Sequence, residues 1–309
     1  MGACLAMTPT PFEPRGALRV NESMVRHTVW GIGGPAEQFF VPADECDLIG
    51  YLQSLDADHE LLWLGLGSNL LVRDGGVSGT VIDTAKLNRL TIDEDYRVIA
   101  EAGVPCPKVA KLCRRGHLTG AEFMAGIPGS IGGALAMNAG AFGGETWDIV
   151  TRVWTVDRNG VKRERDAHDF TVGYRHVEGI GEEAFLAAEL QLQADADGLA
   201  EQRIKALLKR RSDTQPLGLK SCGSVFTNPK DDHAARLIEA CGLKGYQVGG
   251  AQISEKHANF IINAGGASAE DVLAVIDHIQ TVVADRFSVR LETEVRVVGT
   301  TSAANGDDA

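Results

Sequence analysis

Two glycine-rich stretches carry the residues whose types and spacing point most directly to chemistry. The first is Leu64-Gly65-Leu66-Gly67-Ser68-Asn69-Leu70. A strand running into Gly-x-Gly-Ser-Asn lines up successive backbone N–H groups beside a hydroxyl and an amide. That nest suits a pyrophosphate and needs no cationic side chain. A simple glycine hairpin between two strands is the competing reading of this segment. The second stretch is Gly126-Ile127-Pro128-Gly129-Ser130-Ile131-Gly132-Gly133, continuing through Met137-Asn138-Ala139-Gly140-Ala141-Phe142-Gly143-Gly144-Glu145. Residues this small fill little core volume, but they let backbone lie against a flat, extended ligand such as a fused ring system. Ile127, Ile131, Leu135 and Met137 are interleaved as apolar anchors, which a flexible linker lacks.

Other chemistries are excluded by what is missing. There is no Gly-Lys dipeptide and hence no P-loop. The Gly65 segment lacks the third glycine of a dinucleotide fingerprint and leads into a strand, not a helix. No His/Cys cluster has metal-ligand spacing. With 30 Lys+Arg against 42 Asp+Glu, the net charge of −12 argues against a nucleic-acid partner. No apolar run is long enough to span a bilayer, and Met1 to Pro11 lacks the basic start of a signal peptide. Six scattered cysteines without C-x-x-C fit reduced thiols and a cytoplasmic location. Cys222 reads as a small buried residue, not a nucleophile.

The elements that must position these segments alternate between strand and helix. Strands are expected at Ala36–Val41, Glu60–Leu64, Leu70–Val72, Gly79–Asp83, Val98–Glu101, Val150–Val156, Val161–Arg165 and Ala184–Leu192. Helices are expected from Asp44 to Leu55, with Asp44 as cap, and from Pro105 to Arg115, ended by Gly116. Leu199–Arg211 is a charged connector helix. Further helices are expected at Asp232–Cys241 and Ser268–Phe287, the latter with Ser268 and Asp271 as an imperfect capping box. Ala258–Asn263 and Ser288–Val298 read as strands, and Thr300–Ala309 as a disordered tail.

Ordered strings along the chain resemble the UDP-N-acetylenolpyruvoylglucosamine reductase family. They are Arg26-His27-Thr28 with Gly33-Gly34-Pro35-Ala36, the two glycine segments, Tyr174-Arg175, and Gly223-Ser224-Val225-Phe226 with Asn228-Pro229. Ser254-Glu255-Lys256-His257-Ala258-Asn259-Phe260 and Leu291-Glu292-Thr293-Glu294-Val295-Arg296 complete the series. The strings run from about Asn21 to Gly299, nearly the whole chain, and their order makes the resemblance specific.

The resemblance implies an α+β flavoprotein with a vanillyl-alcohol-oxidase-type FAD fold in two subdomains, 1–74 and 75–211, and a substrate domain over 212–299. It implies FAD held by Gly65, Leu66, Gly67, Ser68 and Asn69, and by Gly126, Ile127, Pro128, Ser130, Ile131, Gly132, Asn138, Ala139, Gly140 and Ala141. NADPH would be the reductant and the enolpyruvyl ether of UDP-N-acetylglucosamine the substrate. Arg175 and Glu294 would flank the substrate carboxylate, and Ser224 would donate a proton. Asn228, Lys256, His257 and Asn259 would contact the UDP part. A monomer is favoured. Ser224 stands 49 residues after Arg175, the spacing of the short-loop form. Thr227 replaces a common lysine, and Val177 a common serine. An oxidase with the same flavin fold, or a flavin- or UDP-sugar-binding regulator that has lost activity, are the alternatives; the Arg175, Ser224 and Glu294 set argues against both.

Overall fold

The computed structural model describes residues 12–302. The expected tail from 303 to 309, and the stretch from Met1 to Pro11, lie outside them. Three layered units follow one another along the chain.

The first is a four-stranded sheet in the order Ala17–Ser23, Pro35–Val41, Val77–Asp83, Leu61–Leu64. Its first pair is antiparallel and the other two are parallel. Pro35–Val41 buries Ala36, Phe39 and Phe40 on both faces, as suits an interior strand. Because Val77–Asp83 lies inside this sheet, the first unit runs past the boundary expected at Asp74. Helix α1 (Glu45–Ser54) is capped by Asp44, whose carboxylate accepts the Asp47 N–H at 3.0 Å. Its Leu48 and Leu52 pack with Ile82, Val156 and Leu186, joining the first sheet to the second.

The second sheet has five antiparallel strands in the order Lys162–Asp166, Val150–Val156, Ala184–Gln191, Arg97–Glu101, Leu90–Ile92. Helix α2 (Cys106–Arg115) packs on it. So does α3 (Ile131–Ala136), a helix hidden in the glycine-rich stretch. Ser130 caps α3, while Ile131, Ala134 and Leu135 are buried in the same core as α2. The small residues therefore build a close helix–sheet contact as well as a loop. Helix α4 (Ala200–Thr214) is the charged connector, held by Arg203 to Glu122, Asp195 and Asp197.

The third unit is a small sheet of Gln247–Val248, Ala251–Ile253 and Ile261–Asn263 under α5 (Ala234–Ala240) and α6 (Ala269–Phe287). Ser268 and Asp271 form a complete reciprocal capping box on α6, and Val272, Ile276, Ile279 and Val283 are its buried stripe. Trp30, Ile32 and Leu71 of the first unit are buried in this same core. Two expectations change here. The strand expected over Ala258–Asn263 begins only at Ile261, because Phe260 closes a turn onto the His257 carbonyl. Ser288–Val298 is a strand only over Arg296–Val298, which pairs in parallel with Leu70–Val72. Ser288 is in the left-handed cap of α6, and residues 292–294 bond instead to the segment around Val225. Thr300 bridges Gly76, so ordered chain extends into the expected tail. No helix among the described residues is long and apolar enough to cross a membrane.

Candidate active site

The two glycine segments meet. A Cβ on Gly65 would overlap the Ser130 hydroxyl, and one on Gly67 would overlap the His27 carbonyl. Gly67 also has φ +61°, so glycine alone fits both the conformation and the approach. Gly129 faces Ser68, an ideal Cβ there lying 3.5 Å from the Ser68 Oγ. Among the described residues, the N–H groups of Leu66, Gly67, Ser68 and Asn69 donate no backbone hydrogen bond to protein. Four successive free donors at a strand end form a nest for a diphosphate, so the cradle fits that part of a dinucleotide. Ile127, Ile131 and Ala139, also expected at the ligand, have buried side chains.

Arg175 sits at the tip of a hairpin, Thr171–Gly173 paired with His176–Glu178. Its φ of +55° is unfavourable for a residue with a side chain, and the guanidinium is anchored on three sides. Nε donates to Glu294 Oε1 at 3.1 Å, Nη1 to the Asn138 carbonyl at 3.1 Å, and Nη2 to the Gly140 carbonyl at 3.0 Å. Glu145 lies 3.8 Å from Nη1.

Glu294 is fixed from both neighbouring units. Its N–H donates to the Val225 carbonyl at 2.8 Å, and its own carbonyl accepts from Asn69 Nδ2 at 2.9 Å. Burial pushes the Glu294 carboxyl above the usual carboxylate range, against the opposing pull of Arg175. Ser224 precedes Val225 and so lies on the segment bonded to Glu294. It is half-buried, and its hydroxyl has no protein partner among the described residues. Cys222 is buried, and burial together with the Glu294 charge pushes its thiol up, so it is an inert neighbour. Arg175 and Glu294, 119 residues apart in sequence, are thus in contact beside the nest, and Ser224 lies one residue before the Val225 carbonyl that holds the Glu294 backbone.

The four residues expected at the UDP part divide. Asn228 accepts the Ala234 N–H and starts α5, and Asn259 uses both ends of its amide on the Phe226 backbone, at 3.0 and 2.8 Å. Their side chains hold the fold around Ser224. Lys256 Nζ reaches the Ser212 carbonyl at 2.6 Å, tying the third unit to the end of α4. His257 packs edge-on to Phe260, and burial pushes its pKa down, so a neutral imidazole is favoured. Glu145 and the clamp made by the Asn138 side chain had no sequence signal beyond their place in the glycine-rich stretch.

Two family models match the chain. "UDP-N-acetylenolpyruvoylglucosamine reductase, C-terminal domain" matches residues 215–298, and "FAD binding domain" matches 36–164. The chain is 56% identical over 293 residues to the UDP-N-acetylenolpyruvoylglucosamine reductase of Methylococcus capsulatus, covering 94% of this chain and 95% of that one. It is 56% identical over 285 residues to the enzyme of the same name from Alkalilimnicola ehrlichii, covering 92% and 95%. The crystal structure of UDP-N-acetylenolpyruvylglucosamine reductase from Thermus caldophilus superposes with a TM-score of 0.78 at 31% identity, covering 92% of this chain and 98% of that one.

Proposed function

Because the chain belongs to the UDP-N-acetylenolpyruvoylglucosamine reductase family, we propose that Arg175, Glu294 and Ser224 carry out the reduction for which that family is named. The chain is an oxidoreductase with FAD as cofactor, and its reaction belongs to peptidoglycan precursor synthesis. It reduces the enolpyruvyl ether of UDP-N-acetylglucosamine to the lactyl ether, UDP-N-acetylmuramate. NADPH is the reductant in this reading.

FAD, when bound, supplies the hydride; the Gly65–Asn69 nest would hold its diphosphate, and the 126–141 backbone the rest. The terminal carbon of the substrate receives that hydride, so negative charge develops on the neighbouring carbon and its carboxylate. Arg175 is suited to hold that carboxylate because its charge is permanent and its planar fork matches two oxygens. Glu294, raised in pKa, can share a proton with the same group instead of repelling it. Ser224 delivers the proton that completes the lactyl ether, its hydroxyl being free of protein partners. A hydroxyl this weakly acidic serves because the acceptor is strongly basic.

The observation that carries this reading is the Arg175–Glu294 contact at 3.1 Å, which joins residues 119 apart at the edge of the nest. The domain division into two FAD subdomains and a substrate domain, a monomeric state, a short-loop site and a cytoplasmic location belong to the same proposal. The test is turnover: NADPH oxidation must depend on the enolpyruvyl ether, and the product must be heavier by two hydrogens. Oxygen consumption without NADPH, or tight UDP-sugar binding with no NADPH oxidation, would contradict it.

A further inference from the structure

Arg175 holds a backbone conformation that an arginine disfavours, and the surrounding structure must over-determine it. Asn138 supplies much of that constraint. It is 2% exposed and itself at φ +45°. Its Nδ2 donates to the Gly173 carbonyl at 3.1 Å, at the entry to the Arg175 turn, and to Glu145 Oε2 at 2.8 Å. Its Oδ1 accepts the Trp147 N–H at 3.2 Å, and its main-chain carbonyl accepts from Arg175 Nη1. The amide orientation is fixed by this network, since a flip would set Oδ1 against two acceptors. Its side chain is therefore spent on the hairpin, and only its backbone is left to serve the cofactor cradle.

We propose that Asn138 is a positioning residue for the reduction: it sets the Arg175 guanidinium for the substrate carboxylate, with Glu145 as its anchor. The donor count supports this. Of the five guanidinium N–H groups, one serves Glu294 and two serve the Asn138 and Gly140 carbonyls. One N–H remains on each terminal nitrogen as a donor for a carboxylate, with Glu145 Oε1 3.8 Å from Nη1. Removing the Asn138 amide frees the turn at Gly173 and so misaligns that pair. The inference rests on the function proposed above.

The test compares holoenzyme carrying Asn138→Ala or Asn138→Asp with the unaltered protein. The aspartate keeps the acceptor for Trp147 but cannot donate to Gly173. Turnover should fall by about 30- to 100-fold, as expected for a misplaced reacting geometry. Affinity for UDP-N-acetylmuramate, which carries the carboxylate, should fall about tenfold, the scale of a lost charge-assisted hydrogen bond. Affinity for UDP, which lacks the carboxylate, and flavin content per chain should stay within twofold. Equal losses of affinity for UDP and for the lactyl ether, or turnover within twofold of the unaltered enzyme, would overturn the proposal. Glu145→Ala provides a second route that leaves Asn138 in place. It should show the same split, and Glu145→Gln, which keeps an acceptor for Asn138, should recover most of the loss; no split in Glu145→Ala would equally overturn it. If the unaltered enzyme fails to reduce the enolpyruvyl ether, the proposed function fails; if it succeeds and the variants match it, only the role of Asn138 fails.

Discussion

Asn69 donates its side-chain amide to the main-chain carbonyl of Glu294 at 2.9 Å, across 225 residues of sequence. The Arg296 N–H returns a bond to the Asn69 carbonyl at 3.1 Å, and Arg296–Val298 then pairs with Leu70–Val72. The last residue of the diphosphate nest is thus also the support of the buried carboxylate. An Asn69→Ala variant removes the amide but leaves the backbone donors of the nest. It should keep its flavin while turnover drops by about tenfold, the scale of one lost buried hydrogen bond. Flavin absorbance per chain and steady-state rates check this; loss of flavin with no change in the rate per remaining flavin would place Asn69 in the cradle alone.

Gly67→Ala should affect flavin directly. The added Cβ meets the His27 carbonyl at a φ of +61°, so the nest must shift. A strained left-handed residue costs about 1–3 kcal/mol, and here the loss should appear mainly as colourless protein. Normal yellow protein with normal melting would contradict the cradle.

Arg175→Lys keeps the charge but loses the fork and the three-sided anchoring. An ammonium cannot serve two carbonyls and Glu294 while also holding a carboxylate in a plane. We expect kcat/KM to fall by about 10²–10³-fold, as for loss of a preorganised donor to developing charge, with flavin content retained. Steady-state kinetics at saturating NADPH decide it.

The raised pKa of Glu294 gives a pH signature. In the fold its carboxyl holds its proton to higher pH than in the unfolded chain, so its contribution to stability is fully present below its unfolded pKa. That contribution is lost as pH rises through the folded value. Glu294→Gln keeps a neutral hydrogen-bonding group and removes this dependence. The stability of the variant relative to the unaltered protein should therefore increase from pH 4 to pH 8, measured by urea unfolding. A relative stability that falls over this range would mean that Arg175 outweighs burial.

Much of this frame is legible in sequence because local rules decide it. Asp44 and Ser268 mark helix starts by capping chemistry alone, and the valine-rich run Val150–Val156 declares a strand, whereas α2 ends with His117, not Gly116, in the left-handed conformation. The glycine segments stand out in sequence by density alone, and the structure shows that Gly65 and Gly67 are also required by close approach to Ser130 and His27. What escaped depends on long-range bonds. Helix α3 looks like loop because its glycines have low helix propensity, and only packing of Ile131 and Leu135 on the second sheet stabilises it. Ser288–Val298 alternates like a strand, yet Glu292 and Glu294 bond to a segment some 65 residues away and leave three residues for the ladder. The bonds of Asn228 to Ala234 and of Asn259 to Phe226 likewise became visible only in three dimensions.

The most direct test of the reduction site is the flavin absorbance of Ser224→Ala followed without oxygen, beside the unaltered enzyme. Both should bleach when NADPH is added. On addition of the enolpyruvyl ether, the unaltered enzyme should recover its absorbance promptly, and the variant slower by about 10²–10⁴-fold, the span typical of a missing proton donor. Recovery of the variant at the normal rate, or an unaltered enzyme that does not bleach, would contradict the site described by Arg175, Ser224 and Glu294.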